Sequence, residues 1–410
     1  MSKNIRFEMK VPSWIKNIYF RFFFKVKKGK CLFIPHPGFC KNDKASIINY
    51  KADNCLIFVR YMLDNGLCGD KELVVVSTTP ERAQKEQAFC REHYPETNIK
   101  IIPDVSRQIK SAWASAEYIF SAEEIFQYLK KKGQNYICLS YYPISLKNDY
   151  FDPKHPVYGN RLILSKQTDI VVSSSLINSQ MDSAAFSIPF GKFLPIGKVR
   201  TDVLEQQSDV RFVREYLQQL CGDYEFNKII LYTPTHRDYE RATFDIKRSI
   251  LGFDVEQAKF EKFLEENKLL IVCKLHPQQN AAVVNLKLPK GVVNFKGAED
   301  FGLIELMQVS DMLMTDYTSA YVDYLILDKP VLFNFYDLDL YEKSRGLSFY
   351  PYERICAGDI FKDEASFYKA TKEALANPDK YKEKRAEVLD ELITYRTNVC
   401  EKTYQYLFGK

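Results

Sequence analysis

Apolar residues along this chain gather in short unbroken runs of four or five, separated by longer stretches of helical spacing. Cys31–Pro35, Leu73–Ser77, Ile99–Pro103 and Tyr136–Leu139 form a first series of runs. Ile229–Tyr232, Leu269–Cys273, Val292–Phe295, Met312–Thr315 and Val331–Phe335 form a second. A strand that is apolar at every position is covered on both faces, which is the mark of a parallel sheet. Between the runs, helical patterns fall at Pro80–His93 and across Ser111–Lys132, the latter stopped by Gly133. Strands alternating with helices predict doubly wound α/β architecture, here twice over. The division is expected near residues 200–210, giving a first domain over 31–205 and a second over 206–378. A helix is expected over 379–410, and residues 1–30 form a separate head.

That head changes the picture of charge. The net charge is +5, but residues 1–30 hold nine Lys or Arg against Glu8 alone, so the rest of the chain is slightly acidic. Trp14, Ile18, Phe22 and Val26 recur at every fourth position, as do Ile15, Tyr19 and Phe23, with cations between them. Cations beside aromatics suit a helix lying on an anionic membrane surface. They do not suit nucleic acid, for which no recognisable module appears. No apolar run reaches the roughly 18–20 residues that span a bilayer. Ten cysteines include no C-x-x-C pair, and Cys138 and Cys273 sit inside apolar runs. Reduced thiols in a cytoplasmic setting are expected, with neither a zinc site nor a disulfide framework.

The candidate chemistry lies where the second series of runs ends. Met312–Thr315 gives way to Asp316-Tyr317-Thr318-Ser319 and then to a helical pattern. A hydroxyl-rich turn at the carboxyl end of a parallel strand is a ready anion site. Three further segments end at the same edge: Tyr232-Thr-Pro-Thr235-His-Arg237-Asp238, Lys274-Leu-His276-Pro277, and Arg345-Gly346 beyond Val331–Phe335. Cations, a histidine and hydroxyls gathered on one edge are what a diphosphate requires.

These four segments, with Gly197-Lys-Val-Arg200-Thr-Asp202 at the domain junction and Phe335-Tyr-Asp-Leu-Asp-Leu-Tyr341, resemble the CDP-glycerol glycerophosphotransferases of teichoic acid and capsule synthesis. The match covers about residues 190–350. The resemblance implies two Rossmann-like domains facing a central cleft, the glycosyltransferase B fold. It also implies attack of an acceptor hydroxyl on the β-phosphorus of CDP-glycerol or CDP-ribitol, with CMP as leaving group. By that analogy His276 contacts the transferred phosphate or the leaving group. Arg200, Thr235, Arg237, Lys274, Asp316, Thr318, Ser319 and Arg345 bind the donor, with Asp316 or Asp337 orienting the turn or the ribose. Positioning and charge stabilisation carry such a transfer, so no cofactor and no metal site is expected, although Mg²⁺ would be compatible.

One departure stands out. The family carries a tryptophan-histidine-glycine element whose histidine is the expected general base, and the local counterpart here is Ser140-Tyr-Tyr142-Pro-Ile-Ser-Leu-Lys147. A tyrosine of pKa about 10 is a poor base at neutral pH. His36, in Phe33-Ile-Pro-His-Pro-Gly-Phe39, ends the first strand and is the leading substitute, with His155 second. The expected acceptor is lipid-linked or a glycan, and the expected location is the inner face of the cell membrane. Two other readings remain open: a glycosyltransferase of the same fold using a UDP- or CMP-sugar, and a non-catalytic relative that binds a membrane surface.

Overall fold

In the computed structural model the described residues are 24–36, 45–123, 129–139, 146, 163–206, 209–235, 237, 249, 251–275, 287–298 and 300–409. The basic head falls largely outside them, except that Lys27–Lys30, counted with it, open the first strand.

Two all-parallel sheets carry the chain. The first contains β1 (Lys27–Ile34), β2 (Glu72–Ser77), β3 (Ile99–Pro103), β4 (Ala116–Ser121), β5 (Asn135–Cys138), β6 (Ile170–Ser173) and β7 (Phe193–Pro195), in the order β3-β2-β1-β4-β5-β6-β7. The second contains β8 (Lys228–Thr233), β9 (Leu269–Cys273), β10 (Val292–Asn294), β11 (Met312–Thr315), β12 (Val331–Asn334) and β13 (Asp359–Phe361), in the order β10-β9-β8-β11-β12-β13. In each sheet the chain builds outward from a central strand, returns, and builds the other way. The order therefore reverses between β1 and β4, and again between β8 and β11. A crevice opens above such a reversal, at the carboxyl ends of the strands, and ligands bind there. The doubly wound α/β architecture expected twice over is the topology observed.

The pattern misled in one place that matters. The helix expected over Ser111–Lys132 is cut short: a helix occupies Ser106–Ser115, and Ala116–Ser121 then forms β4, beside β1 in the middle of the sheet. Cys31, Leu32 and Phe33 of β1 pair with Tyr118, Ile119 and Phe120. Ile119 and Phe120, adjacent in sequence and pointing to opposite faces, are both fully buried, and Phe120 stacks on Phe33 at 4.7 Å. Burial on both faces overrides the helical spacing. The short strands β6, β7 and β13 were also absent from the pattern.

The close of the chain is two helices instead of one, Lys382–Leu392 and Val399–Phe408. The second returns to the first domain. Phe408 packs on Tyr118 at 5.0 Å, and the Tyr404 hydroxyl donates to the Leu67 carbonyl at 3.0 Å. Its start is held from the domain junction, where the Asp202 carboxylate accepts the backbone N–H groups of Val399 and Cys400 at 2.9 and 2.7 Å. Gly197, at φ +98°, passes so close to this segment that a Cβ would stand 2.5 Å from the Tyr395 carbonyl oxygen. No helix among the described residues is long and apolar enough to cross a membrane.

Candidate functional site

The carboxyl edge of the second sheet is organised around one arginine. β8 and β11 run side by side to Thr233 and Thr315, which are paired in register. Beyond them the chain turns through Pro234-Thr235 on one side and Asp316-Tyr317 on the other. The Asp316 carboxylate accepts the Thr235 N–H at 2.8 Å, the Thr235 hydroxyl at 2.7 Å and the Tyr317 N–H at 2.6 Å. Arg237 reaches back into this knot. Its Nε and Nη2 donate to the two oxygens of Asp337 at 3.0 and 2.9 Å, and its Nη1 donates to the Thr235 carbonyl and to Asp316. The rings of Tyr317, Tyr336 and Tyr341 stand 5.2 to 5.4 Å from the guanidinium. Burial opposes the arginine's charge, but Asp316 and Asp337 more than offset it, so the group stays protonated.

The Arg237 side chain is buried, and its fork grips two carboxylates and so fixes the turns on either side of it. Asp316 likewise faces inward and ties two turns together. Around this knot the remaining candidates line one edge. Thr318 and Ser319 follow β11 and are half-buried. Lys274, also half-buried, follows β9, and its N–H donates to the Tyr232 carbonyl at 2.8 Å. Arg345 ends the helix Leu338–Ser344 that follows β12. The helix after the hydroxyl turn is only Ala320–Tyr324, continued by one 3₁₀ turn, so its dipole is smaller than the sequence pattern suggested. His276 lies outside the described residues, two positions beyond Lys274.

The first sheet offers a sparser edge. β1 ends at Ile34 and β4 at Ser121, and the ladder extends one step further as the Ala122 N–H donates to the Ile34 carbonyl at 3.3 Å. This places His36 beside Glu123, with Nε2 3.2 Å from Oε2. The His36 N–H donates to Asp53 at 2.8 Å, and Asp53 also caps the helix Asn54–Asp64 through the N–H groups of Cys55 and Leu56. Burial pulls the His36 pKa down, but Glu123 and Asp53 together outweigh it and raise the imidazole above its ordinary value. Tyr142 and His155 lie outside the described residues.

Between the edges runs a buried bridge. The Arg200 Nε donates to Asn54 of the first domain at 3.0 Å, and its Nη1 donates to Asp323 of the second at 3.1 Å. Arg200 is 8% exposed, and it braces the two domains. Lys198, two residues earlier, is fully buried, and its Nζ donates to the Val172 carbonyl at 3.1 Å. Asp182, near Lys198, has its pKa pushed up to about 6 by burial, which Lys198 and Asn178 only partly oppose.

Sequence reasoning missed Glu123, Asp53, Asn54 and Asp323. Glu123 was hidden inside the expected long helix. Asp53 carried the usual signal of a helix cap, an Asp just before the apolar run Cys55–Val59, and could have been read. Asn54 and Asp323 gave no signal, because their partner is Arg200, more than a hundred positions away from each.

Comparison with known proteins bears on both fold and chemistry. The profile of the family described as CDP-Glycerol:Poly(glycerophosphate) glycerophosphotransferase matches residues 72–409. The teichoic acid glycerol-phosphate primase of Bacillus spizizenii is 32% identical over 165 residues, covering 40% of this chain and 39% of that protein. The Bacillus subtilis primase is 34% identical over 165 residues, covering 40% and 38%. This chain therefore spans well under half the length of either primase within the matched region. Among solved structures, the wall teichoic acid polymerase TagF superposes with a TM-score of 0.71 at 21% identity, over 96% of this chain and 93% of that one. A Staphylococcus aureus MnaA–UDP structure superposes with a TM-score of 0.51 at 14% identity, over 93% of this chain and 97% of that one. At these identities the likeness concerns the fold alone.

Proposed function

We propose that this chain, which belongs to the CDP-glycerol:poly(glycerophosphate) glycerophosphotransferase family, transfers an alditol phosphate from a CDP-alditol to an acceptor hydroxyl and releases CMP. Glycerol phosphate is the first choice of cargo, since the matched Bacillus proteins are named as glycerol-phosphate primases. Ribitol phosphate is the second, since the TarL relative is named a ribitol-phosphate polymerase. The observation that supports the reading is the carboxyl edge of the second sheet, where Thr235 follows β8, Lys274 follows β9, Thr318 and Ser319 follow β11, and Arg345 ends the helix after β12.

In the reaction the acceptor oxygen forms a bond to the β-phosphorus. The bond from that phosphorus to the bridging oxygen breaks, and CMP leaves with the electron pair. The acceptor proton passes to a base on the opposite side of the cleft. Thr318, Ser319, Lys274 and Arg345 would neutralise the diphosphate, and His276 would meet the transferred phosphate or the leaving group. Such a transfer is catalysed by alignment and charge, and it calls for no resident cofactor. The cationic, aromatic head would bring the chain to the inner membrane face, where a lipid-linked acceptor of teichoic acid or capsule synthesis is found.

Full-length protein incubated with CDP-glycerol, CDP-ribitol, UDP-sugars and CMP-sugars, with lipid-linked acceptors, tests this by nucleotide release. CMP from a CDP-alditol is expected, with no release from the sugar donors. Release from a sugar donor alone would hand the site to a glycosyltransferase. Retention of membrane binding without turnover of any donor would favour the non-catalytic relative.

A further inference from the structure

The two places where strand order reverses face different tasks. The one between β8 and β11 holds the Arg237 knot and the donor candidates. The one between β1 and β4 holds His36 and Glu123, past the ends of the two strands that flank the crevice. Resting on the transfer reading above, we propose that Glu123 is the positioning residue for His36, and that the His36–Glu123 pair takes the proton of the attacking acceptor hydroxyl, the task that Tyr142 is ill suited to perform.

The chemistry of the pair supports the assignment. Glu123, at 3.2 Å from Nε2, selects the tautomer with the hydrogen on that nitrogen and fixes the plane of the ring. The acceptor proton is then taken at Nδ1, the acceptor oxygen bonds to the β-phosphorus, and the carboxylate stabilises the imidazolium that results. The backbone of His36 is fixed as well, because its N–H is bonded to the fully buried Asp53. Among the described residues, the charged groups facing the ring include Glu123, Asp53 and Arg200. Arg200 opposes protonation, and the two carboxylates favour it and prevail. Arg200 also bonds Asn54, the residue after Asp53, so the same guanidinium touches the helix that seats His36 and the helix that follows the donor turn. Arg200 thus ties the two helices together across the junction.

Two measurements on full-length protein test the pair. In the first, the imidazole C–H resonances are titrated by NMR, His36 being identified by its loss in His36→Gln. Its midpoint is expected above that of an exposed histidine, and Glu123→Gln is expected to lower it by roughly one pH unit. In the second, CMP release from CDP-glycerol is followed against pH. The rate should rise through the His36 midpoint, and in Glu123→Gln that acid limb should move down by the same interval. His36→Gln should lose about 10²–10⁴-fold in kcat with little change in KM for the donor. A wild type that releases CMP, with a Glu123→Gln limb that stays in place, would overturn the pair and leave the transferase reading intact. A His36→Gln variant that keeps wild-type kcat would do the same. A wild type that releases CMP from no CDP-alditol would overturn the transferase reading, and the pair with it. An unmoved His36 midpoint in Glu123→Gln would sink the pair on structural grounds, whatever the activity.

Discussion

The two carboxyl edges of this molecule are built to the same plan and finished differently. Behind the donor edge, a buried arginine holds two carboxylates, a backbone carbonyl and three tyrosine rings in one closed knot. Behind the opposite edge, a half-exposed glutamate holds one histidine, and a buried aspartate holds that histidine's backbone. The first arrangement is rigid and satisfied before any ligand arrives. The second leaves a titratable ring near solvent. Under the proposed transfer, a diphosphate would be the same in every turnover and reward a preformed cradle, whereas an acceptor would have to be admitted, activated and released.

The largest effect should come from breaking the knot. Arg237→Met leaves Asp316 and Asp337 buried and unpaired, and is expected to cost about 3–5 kcal/mol in urea unfolding. Arg237→Lys should recover little of that, because a single ammonium cannot span both carboxylates. A loss below about 1 kcal/mol would mean that the knot relaxes or admits water, and the contrast between the edges would go with it.

Next in size is a pH effect at Asp182, near Lys198 in the first domain. Asp182 binds its proton more tightly in the folded chain, at about 6, than at the ordinary carboxylate value of 3.8. The fold therefore gains from Asp182 being protonated below the unfolded value, and that gain is lost as pH rises from 3.8 through about 6. The lost contribution is on the order of 3 kcal/mol. Asp182→Asn should flatten this part of the stability curve, measured as urea midpoints between pH 4 and pH 7. An unchanged slope would assign the pH dependence elsewhere.

The smallest structural effect should accompany a clear functional one. Thr318→Ala and Ser319→Ala remove half-buried hydroxyls from the donor turn and should change stability by no more than about 0.5 kcal/mol. Each should raise KM for CDP-glycerol about tenfold, the weight of one charge-assisted hydrogen bond. An unchanged KM in both would move the diphosphate off this turn.

Which parts of this could be read in the chain followed a physical rule. Runs such as Leu269–Cys273 announced themselves because every residue is apolar and every residue is buried. β4 did not, because Ala116-Glu-Tyr-Ile-Phe-Ser121 carries a charge and follows a true helix without a break. The donor edge was legible because strands and turns repeat in order along the chain. The direction in which a side chain faces was not: Arg237 and Arg200 were each recognised as important, yet both point inward, toward acids far off in sequence. A positive charge near a turn looks the same on paper whether it waits for a phosphate or already grips an aspartate.

The helix Val399–Phe408 bears on how the protein is made. It packs on Tyr118 and Phe120 of β4 and is clasped by Asp202. A ribosome completes the first sheet at Pro195 and delivers this helix roughly two hundred residues later. At about 5–20 residues per second, the first domain spends many seconds with that apolar surface uncovered. The second domain is therefore synthesised while its neighbour still lacks this helix, and Val399–Phe408 then joins the two.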